Sequence, residues 1–227
     1  MQKMQKSLLI FDLDGTLIDS VPDLAHAVNL TLQDLERPTF ELATIRHWVG
    51  NGATVLIQRA LSGSSTIRAD LAPNLVEQAL ARFLEHYREH TCEQTQAYQG
   101  VSEGLSQLKN AGYTLAIVTN KPYEFVPTIV ANMGWQSLFS LILGGDSLAV
   151  KKPDPAPLLT VCEKLGFAPI QSYMIGDSKN DILAGQNAQM DTLGLSYGYN
   201  YGQDIRDFQP THTFDTFTQL TDFLLDK

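Results

Sequence analysis

The feature that most constrains the fold of this chain is a regular alternation of short apolar segments with amphipathic helical segments, beginning near residue 100. Strands that follow one another through helices pair in parallel, with right-handed crossovers. We therefore predict an α/β fold with a doubly wound parallel sheet. The predicted strands are residues 113–118, 138–143, 172–175, 192–195 and a short segment near 214, and the predicted helices are residues 101–111, 122–133, 156–165, 180–188 and 217–225.

One more strand is predicted at residues 7–11, and a long helical region separates it from the others. Apolar side chains recur at helical spacing in that region, and residues 21–93 contain no convincing strand pattern. Because the region begins just after the first strand and ends near Gly100, we predict an inserted α-helical cap over the carboxyl edge of the sheet. The predicted core is residues 1–18 and 95–227, and the predicted cap is residues 19–94.

The overall charge argues against a polyanionic partner. The 227-residue chain has a formal net charge of -9 and contains no cluster of Lys and Arg, so we expect no nucleic acid partner.

Residues 1–6 lead into the first strand without an apolar signal segment, and no later apolar run is long enough to cross a bilayer. These features predict a cytoplasmic protein with no membrane partner. Cys92 and Cys162 lie far apart, outside any CxxC pattern, and are expected to be reduced thiols.

Acidic residues directly follow the first predicted strand. Asp12 and Asp14 come after the apolar residues 8–11, and Gly15 allows a sharp turn that brings both carboxylates to one point. Two neighbouring carboxylates repel each other, so they favour a bound cation. A hard divalent ion with oxygen ligands, most simply Mg2+, would offset this repulsion and could also hold a phosphate.

Polar groups also follow the later strands, at the edge where parallel sheets bind their ligands. Thr119 and Asn120 precede a helix, a position that favours an anion such as phosphate. Lys152 lies in a loop stiffened by prolines, whereas its neighbour Lys151 is expected to be solvated. Asp177 follows the fourth strand in chain order. We expect the groups at these strand ends to converge on one site.

Two of the strand ends carry longer motifs. The sequence DLDGTLIDS at residues 12–20 resembles the first motif of the haloacid dehalogenase (HAD) superfamily, in its phosphatase branch, and GDSKND at residues 176–181 is similar to the last motif, GDxxxD. The resemblance implies a HAD-like core and a phosphoric monoester hydrolase. Dehalogenases of the same superfamily attack carbon and lack counterparts of Asp14 and of the Asp177 pair, so the resemblance favours phosphoryl transfer.

The resemblance also implies catalytic and metal-binding roles. Asp12 would attack phosphorus and form an aspartyl-phosphate, while Asp14 would protonate the leaving group and then activate water. Mg2+ would be held by Asp12, by the backbone carbonyl of Asp14 and by Asp177.

The resemblance also implies supporting roles for four other residues of this chain. Lys152 would balance the charge of the nucleophile and of the transferring phosphoryl group, and Thr119 and Asn120 would contact the phosphoryl oxygens. Asp181 would support the metal site or hold Lys152 without binding substrate.

Three further segments extend the resemblance over nearly the whole chain. Residues 49–52 (VGNG), 119–122 (TNKP) and 197–202 (YGYNYG) are similar to the bacterial phosphoglycolate phosphatases, a group within the superfamily. This similarity implies 2-phosphoglycolate, a small phosphorylated metabolite, as the substrate. An aromatic surface loop that packs on the core is an equally good interpretation of residues 197–202.

The cap offers candidate substrate contacts. Backbone amides of Gly50, Asn51 and Gly52 could reach the small carboxylate of the substrate when the cap closes, and Arg46 could assist. A plain turn between two helices is the alternative interpretation of this glycine-rich segment.

Other functions stay open at this point. Pyrophosphate, sugar phosphates and pyridoxal phosphate are alternative substrates, and a sugar-phosphate mutase is an alternative enzyme, although similar mutases usually carry Val or Ile at the position of Thr16. A receiver-like module that is only phosphorylated would need neither Asp14 nor a cap.

His86 and His90, with Cys92 nearby, lack an evident fourth ligand for zinc. The sequence does not predict the oligomeric state.

Overall fold

The computed structural model describes residues 7–226, so residues 1–6 and 227 of the predicted core lie outside the described part of the chain. The strands are β1 (Leu8–Phe11), β2 (Ile18–Asp19), β3 (Gln96–Ala97), β4 (Thr114–Val118), β5 (Phe139–Leu143), β6 (Ser172–Gly176), β7 (Asp191–Leu195) and β8 (His212–Phe214). The α-helices are α1 (Val21–Asp34), α2 (Leu42–Arg46), α3 (Ala53–Ser62), α4 (Pro73–Glu89), α5 (Val101–Asn110), α6 (Val126–Asn132), α7 (Ala156–Leu165), α8 (Lys179–Asn187) and α9 (Phe217–Leu225). Among the helices of residues 7–226, none is long and apolar enough to cross a membrane.

Six of the strands form one parallel sheet in the order β5-β4-β1-β6-β7-β8. The register aligns Phe11 of β1 with Ile117 of β4 on one side and with Ile175 of β6 on the other. The carboxyl ends of these three strands therefore lie side by side, and the residues that follow them meet at one edge of the sheet. The predicted α/β class with a parallel sheet is confirmed.

Helices cover both faces of this sheet. In β1, Leu8 and Ile10 belong to a buried cluster with side chains of α7 and α8, whereas Leu9 and Phe11 belong to a second cluster with side chains of α5 and α9. All four side chains of β1 are fully buried. Side chains on both faces of this strand are buried, so apolar and polar residues do not alternate along it. This is why the segment is a continuous apolar run in the sequence.

The helical region lies between β2 and β3, which pair antiparallel as a short ribbon. Helix α1 packs against α2, α3 and α4. At the junction with the sheet region, the ring of Tyr87 from α4 meets the ring of Phe125 at a centroid distance of 4.7 Å. The division into a core and an inserted cap stays a prediction, with β2 and β3 lying at its two proposed boundaries.

One predicted helix is divided in the structure. The segment predicted as a helix over residues 122–133 begins as a 3-10 turn, Tyr123–Phe125, and continues as α6. Pro127 has no backbone N–H to donate to the carbonyl of Tyr123, so the α-helical pattern begins only at Val126.

Candidate active site

The turn after β1 holds Asp12 and Asp14 at the edge of the sheet. The backbone N–H of Asp12 donates to the carbonyl of Ile175 at 2.9 Å, which fixes the turn against β6. Gly15 has a φ of +90°, and a Cβ atom there would lie 2.3 Å from Oδ2 of Asp177. Glycine is therefore required at this position both by the backbone conformation and by the close approach of a carboxylate.

Lys152 lies next to the first of these acids. Its Nζ is 2.9 Å from Oδ1 of Asp12 and 2.7 Å from Oδ1 of Asp181, and its side chain is only 1% exposed. Burial lowers the pKa of Lys152, but the two carboxylates raise it by more, so the amine stays protonated. A buried ammonium between two carboxylates is a stable arrangement only because all three groups are paired.

Three buried carboxylates, those of Asp12, Asp177 and Asp181, present oxygens within 4.8 Å of one another. Burial raises the pKa of Asp12 to about 7, although Lys152 opposes this rise. Burial and the two neighbouring acids also raise the pKa of Asp177. The cluster thus holds more negative charge than its lysine neutralises, so these oxygen donors fit a divalent cation.

The environments of the acids differ within this cluster. Asp181 accepts hydrogen bonds at Oδ2 from the backbone N–H and the hydroxyl of Ser178, at 3.0 and 2.8 Å, while its Oδ1 receives Lys152. Both oxygens of Asp181 are therefore engaged within the protein. This arrangement favours the predicted role of Asp181 in holding Lys152.

Asp177 is fixed from two directions. The hydroxyl of Thr16 donates to its Oδ1 at 2.6 Å, and the backbone N–H of Tyr199 donates to its Oδ2 at 2.7 Å. These contacts orient the carboxylate toward Asp12 without neutralising it, as expected of groups that position a metal ligand.

Asp14 lies beside a buried cation for which the sequence pattern predicts no role. Nζ of Lys121 is 2.9 Å from Oδ1 of Asp14, and the hydroxyl of Ser20 donates to the same oxygen at 2.5 Å. The Lys121 ammonium also lies 4.7 Å from the centroid of the Tyr87 ring. Lys121 reaches Asp14 from a distant part of the chain, and Tyr87 reaches Lys121 from α4, so local spacing does not reveal these contacts.

Thr119 and Asn120 follow β4 at the same edge of the sheet. Thr119 lines the cavity with both acids of the first turn. The side-chain amide of Asn120 donates to the carbonyls of Gly50 at 3.1 Å and Lys152 at 3.0 Å. This amide therefore joins the cap to the lysine loop, and a contact of Asn120 with phosphate would come from its backbone N–H.

The loop between α2 and α3 is docked on the sheet edge through its backbone carbonyls. The carbonyl of Gly50 accepts hydrogen bonds from the side chains of Asn120 and Asn180, and that of Asn51 accepts one from Nζ of Lys151 at 2.7 Å. The expectation that Lys151 is solvated is wrong, because it is half-buried against this loop. Gly50 and Gly52 line the cavity.

Arg46 points away from the cavity. Its guanidinium forms an ion pair with Asp19 at 2.9 Å and lies 5.2 Å from the centroid of the Tyr199 ring. Arg46 is not among the residues that line the cavity. In this conformation Arg46 connects α2 to β2 and to the segment after β7, and it does not line the cavity.

The aromatic segment at residues 197–202 packs around the acidic cluster. The hydroxyl of Tyr197 donates to the carbonyl of Thr16 at 2.7 Å, and the hydroxyl of Tyr199 donates to Asp19 at 2.8 Å. The hydroxyl of Tyr201 accepts a hydrogen bond from Asn180 at 2.8 Å. The segment therefore packs on the core, as the alternative interpretation expected, and its tyrosines also support the site.

The candidate zinc residues are engaged elsewhere. Nε2 of His86 is 2.8 Å from Asp34, and Nδ1 of His90 is 3.0 Å from Glu93. Within residues 7–226, the acidic cluster at the sheet edge is the only group of three His, Cys, Asp or Glu side chains spaced to hold a metal ion.

A cavity of about 40 Å³ lies between the acids and the helical region. Its walls above the acids are mostly apolar, with one buried lysine. The lining residues are Asp12, Asp14, Leu24, Val49, Gly50, Gly52, Ala53, Leu56, Phe83, Tyr87, Thr119, Asn120, Lys121, Pro122 and Phe125.

Comparison with known proteins identifies relatives along nearly the whole chain. Residues 9–195 match a family model described as haloacid dehalogenase-like hydrolase. A phosphoglycolate phosphatase of Psychrobacter arcticus is 57% identical over 223 residues, which cover 98% of this chain and 97% of that protein. A phosphoglycolate phosphatase of Colwellia psychrerythraea is 54% identical over 220 residues, which cover 97% of each chain.

A solved structure shares the same fold. The crystal structure of a predicted phosphoglycolate phosphatase from Haemophilus somnus has a TM-score of 0.89 with this chain at 39% identity, and the match covers 98% of this chain and 99% of that one. The predicted superfamily and the predicted hydrolase class are thereby confirmed. With a family model spanning most of its length and relatives that match it almost end to end, this chain belongs to the haloacid dehalogenase-like hydrolase family.

Proposed function

We propose that the protein is a Mg2+-dependent phosphomonoesterase that hydrolyses 2-phosphoglycolate to glycolate and phosphate through an aspartyl-phosphate on Asp12. The observation that carries this proposal is the convergence at one sheet edge of a carboxylate nucleophile, a second carboxylate and a buried lysine. Asp12 lies 2.9 Å from Lys152, and both Asp12 and Asp14 line the same cavity as Thr119.

In the first half of the proposed reaction, an Oδ atom of Asp12 forms a bond to phosphorus as the ester P–O bond breaks. Asp14 donates a proton to the leaving oxygen, which departs as the hydroxyl of glycolate. Lys152 offsets the repulsion between the carboxylate and the phosphate dianion, because its ammonium is buried and therefore weakly screened.

In the second half, Asp14 takes a proton from water, and the water oxygen attacks phosphorus. The bond between phosphorus and Asp12 breaks, which releases phosphate, restores the Asp12 carboxylate and leaves Asp14 protonated again. One residue thus serves as acid and then as base, which leaves the protein unchanged after one turnover.

Asp12, the backbone carbonyl of Asp14 and Asp177 would hold the Mg2+ ion, which when bound would neutralise charge on the phosphoryl oxygens. The excess of buried carboxylate over lysine in this cluster supports a divalent cation there. The engagement of both Asp181 oxygens by Lys152 and Ser178 favours Asp181 as a support for the lysine.

The substrate proposal rests on the names of the relatives and on the size of the cavity. The relatives from Psychrobacter arcticus and Colwellia psychrerythraea are both named phosphoglycolate phosphatase. A cavity of about 40 Å³ has room for a leaving group of a few non-hydrogen atoms. This size favours a two-carbon acid over a sugar or pyridoxal, either of which would need an open cap.

The proposal is tested by measuring phosphate release from 2-phosphoglycolate, pyrophosphate, sugar phosphates and pyridoxal phosphate, with and without Mg2+. We expect 2-phosphoglycolate to have the highest kcat/KM and EDTA to remove activity. Acid-quenched enzyme should carry a phosphoryl group on Asp12 by mass spectrometry. Asp12→Asn should lower kcat by at least about 10⁴-fold, because removing a nucleophile removes the covalent route.

Asp207→Asn is the matched control, since Asp207 is an exposed acid. A low rank of 2-phosphoglycolate in the panel would refute the substrate. Parental activity in Asp12→Asn would refute the mechanism. Return of the phosphoryl group to the substrate, without release, would instead indicate the mutase alternative.

A further inference from the structure

The cavity beneath the cap contains a buried cation that the proposed chemistry does not use. Lys121 has a side chain only 3% exposed, and its Nζ lies 2.9 and 3.3 Å from the two oxygens of Asp14. Burying an ammonium costs several kcal/mol unless anions compensate it, so a lysine at this place needs a reason. Its neighbours in the cavity wall are otherwise largely apolar, among them Leu56, Phe83 and Phe125.

Lys121 lies on the leaving-group side of the site. The phosphoryl side already has Lys152, whose ammonium contacts Asp12 and Asp181. Lys121 instead contacts Asp14, the residue proposed to protonate the leaving oxygen. A group that departs past Asp14 into the cavity would therefore pass beside the Lys121 ammonium.

A second buried polar group lies next to this ammonium. The Tyr87 hydroxyl is buried and makes no hydrogen bond of good geometry with any of the described residues. Burial raises the pKa of Tyr87 to about 12, so the hydroxyl keeps its proton and can donate it to an anion. An unpaired buried hydroxyl is costly, and a ligand that accepts its hydrogen bond would remove that cost.

The Lys121 ammonium has room for one more anion. A lysine ammonium has three N–H donors, and the carboxylate that it contacts here is that of Asp14. Its side chain is buried beside the cavity, so bulk water competes little for the remaining donor capacity. A carboxylate on the substrate could therefore bind the same ammonium.

We propose that Lys121 and the Tyr87 hydroxyl bind the carboxylate of the leaving group and so select phosphate monoesters whose ester carbon carries a carboxylate. This inference rests on the proposed function, which it deepens by assigning the group that recognises the glycolate part of the substrate. The cap supplies Tyr87 and the sheet edge supplies Lys121, so this subsite is complete only with the cap closed.

The test compares 2-phosphoglycolate with 2-hydroxyethyl phosphate, an ester of similar size whose leaving group carries no charge. In Lys121→Met, the ratio of their kcat/KM values should fall by about 100-fold, the usual effect of removing one member of a buried charge pair. Most of the loss should come from 2-phosphoglycolate. Tyr87→Phe removes only an unpaired hydroxyl, so it should fold normally and lower the same ratio by about 10-fold.

Ser20→Ala is the matched control because Ser20 donates to the same Asp14 oxygen as Lys121 but carries no charge. It should slow both esters equally and leave the ratio unchanged. Lys164→Met removes an exposed lysine and controls for net charge. An equal loss on both esters in Lys121→Met would overturn the inference, since Lys121 would then act only through Asp14.

If Lys121→Met does not fold, as judged by circular dichroism, Tyr87→Phe decides the matter, and an unchanged ratio in that variant overturns the inference. A wild-type enzyme that hydrolyses neither ester with Mg2+ contradicts the proposed function and the subsite together. A wild-type enzyme that prefers 2-phosphoglycolate, with ratios unaltered by Lys121→Met and Tyr87→Phe, contradicts the subsite alone.

Discussion

Thr16 donates a hydrogen bond of 2.6 Å to Oδ1 of the fully buried Asp177, while Tyr199 donates one of 2.7 Å to Oδ2. A carboxylate held in this way cannot rotate, and its remaining lone pairs face the other acids. Thr16 thus has a physical role in this chain beyond its place in the first motif. At the scale of single residues, the site depends on such supporting contacts as much as on the reactive groups.

Thr16→Val tests the value of this support. Valine has nearly the same shape and removes only the hydroxyl, so Asp177 loses one hydrogen bond and gains freedom to rotate. We expect the Mg2+ concentration for half-maximal activity to rise by about 10- to 100-fold, as is typical when a group that orients a metal ligand is removed. A Mg2+ titration of initial rates measures this constant.

The control for this change is Thr31→Val. Thr31 is also buried, but its hydroxyl donates to Ala27 within its own helix at 2.8 Å. Its replacement should leave the Mg2+ requirement as in the parent. An unaltered Mg2+ requirement in Thr16→Val as well would mean that Asp177 does not depend on this bond or does not bind the metal.

Among the predicted site residues, those that directly follow strands have a clear physical signal in the sequence. Asp12, Thr119 and Asp177 could be located because parallel strands end at one edge, and the structure places them there. The contact between Lys121 and Tyr87 could not be predicted, since the two residues meet only through packing of α4 against the loop after β4. Long-range contacts of this kind leave no periodic trace in a sequence.

At the scale of structural elements, the loop between α2 and α3 connects the helical region to the site. Gly50 has a φ of +118°, and a Cβ atom there would lie 2.5 Å from the hydroxyl of Tyr201. Its carbonyl accepts hydrogen bonds from Asn120 and Asn180. The loop can therefore dock closely only if position 50 carries no side chain.

Gly50→Ala should hinder closure of the cap. We expect a loss of about 1–2 kcal/mol in docking the loop, equivalent to about a 5- to 30-fold lower kcat/KM for 2-phosphoglycolate. Steady-state kinetics measure the effect, and solvent exchange of the backbone amides in α2 and α3 should rise.

Gly112→Ala provides the comparison for this change. Gly112 has a similar φ of +93°, but a Cβ atom there would have no neighbour within 4 Å. Alanine should cause the same backbone strain, about 1–2 kcal/mol, without touching the cap. Equal kinetic loss in both variants would attribute the effect of Gly50→Ala to general destabilisation and refute the docking role.

The longer elements were predictable from the sequence, and the shortest were not. Buried apolar runs and helical spacing locate β1, β4 and α7 within a residue or so of their observed bounds. The ribbon of β2 and β3 has only two residues in each strand, too few for any periodicity. Its formation depends on the two ends of the helical region lying next to each other.

At the scale of the whole molecule, the acidic cluster sets the balance between folding and metal binding. Three buried carboxylates share the edge of the sheet with Lys152. Without a divalent ion this arrangement opposes folding, because like charges are held together in a medium of low dielectric. Binding of a divalent ion would turn the same cluster into a source of stability, so the stability of the whole fold should respond to both metal and pH.

We predict that saturating Mg2+ raises Tm by about 5–10 °C, since a ligand at about 100 times its Kd adds about 2.7 kcal/mol to a chain of this size. The effect should increase with pH. Asp12 has its pKa raised from 3.8 to about 7, so between these values the metal-free native state binds more protons than the unfolded state. Stability without metal therefore falls as pH rises through this window.

Mg2+ binds the deprotonated carboxylates, so the gain in Tm should be larger at about pH 8 than at about pH 5. Thermal unfolding at matched ionic strength, with MgCl2 or NaCl, measures this gain. Asp177→Asn should abolish most of it, because the cluster then loses one anionic ligand and part of its mutual repulsion. A gain in Tm that is independent of pH, or that persists in Asp177→Asn, would place the bound ion elsewhere on the protein.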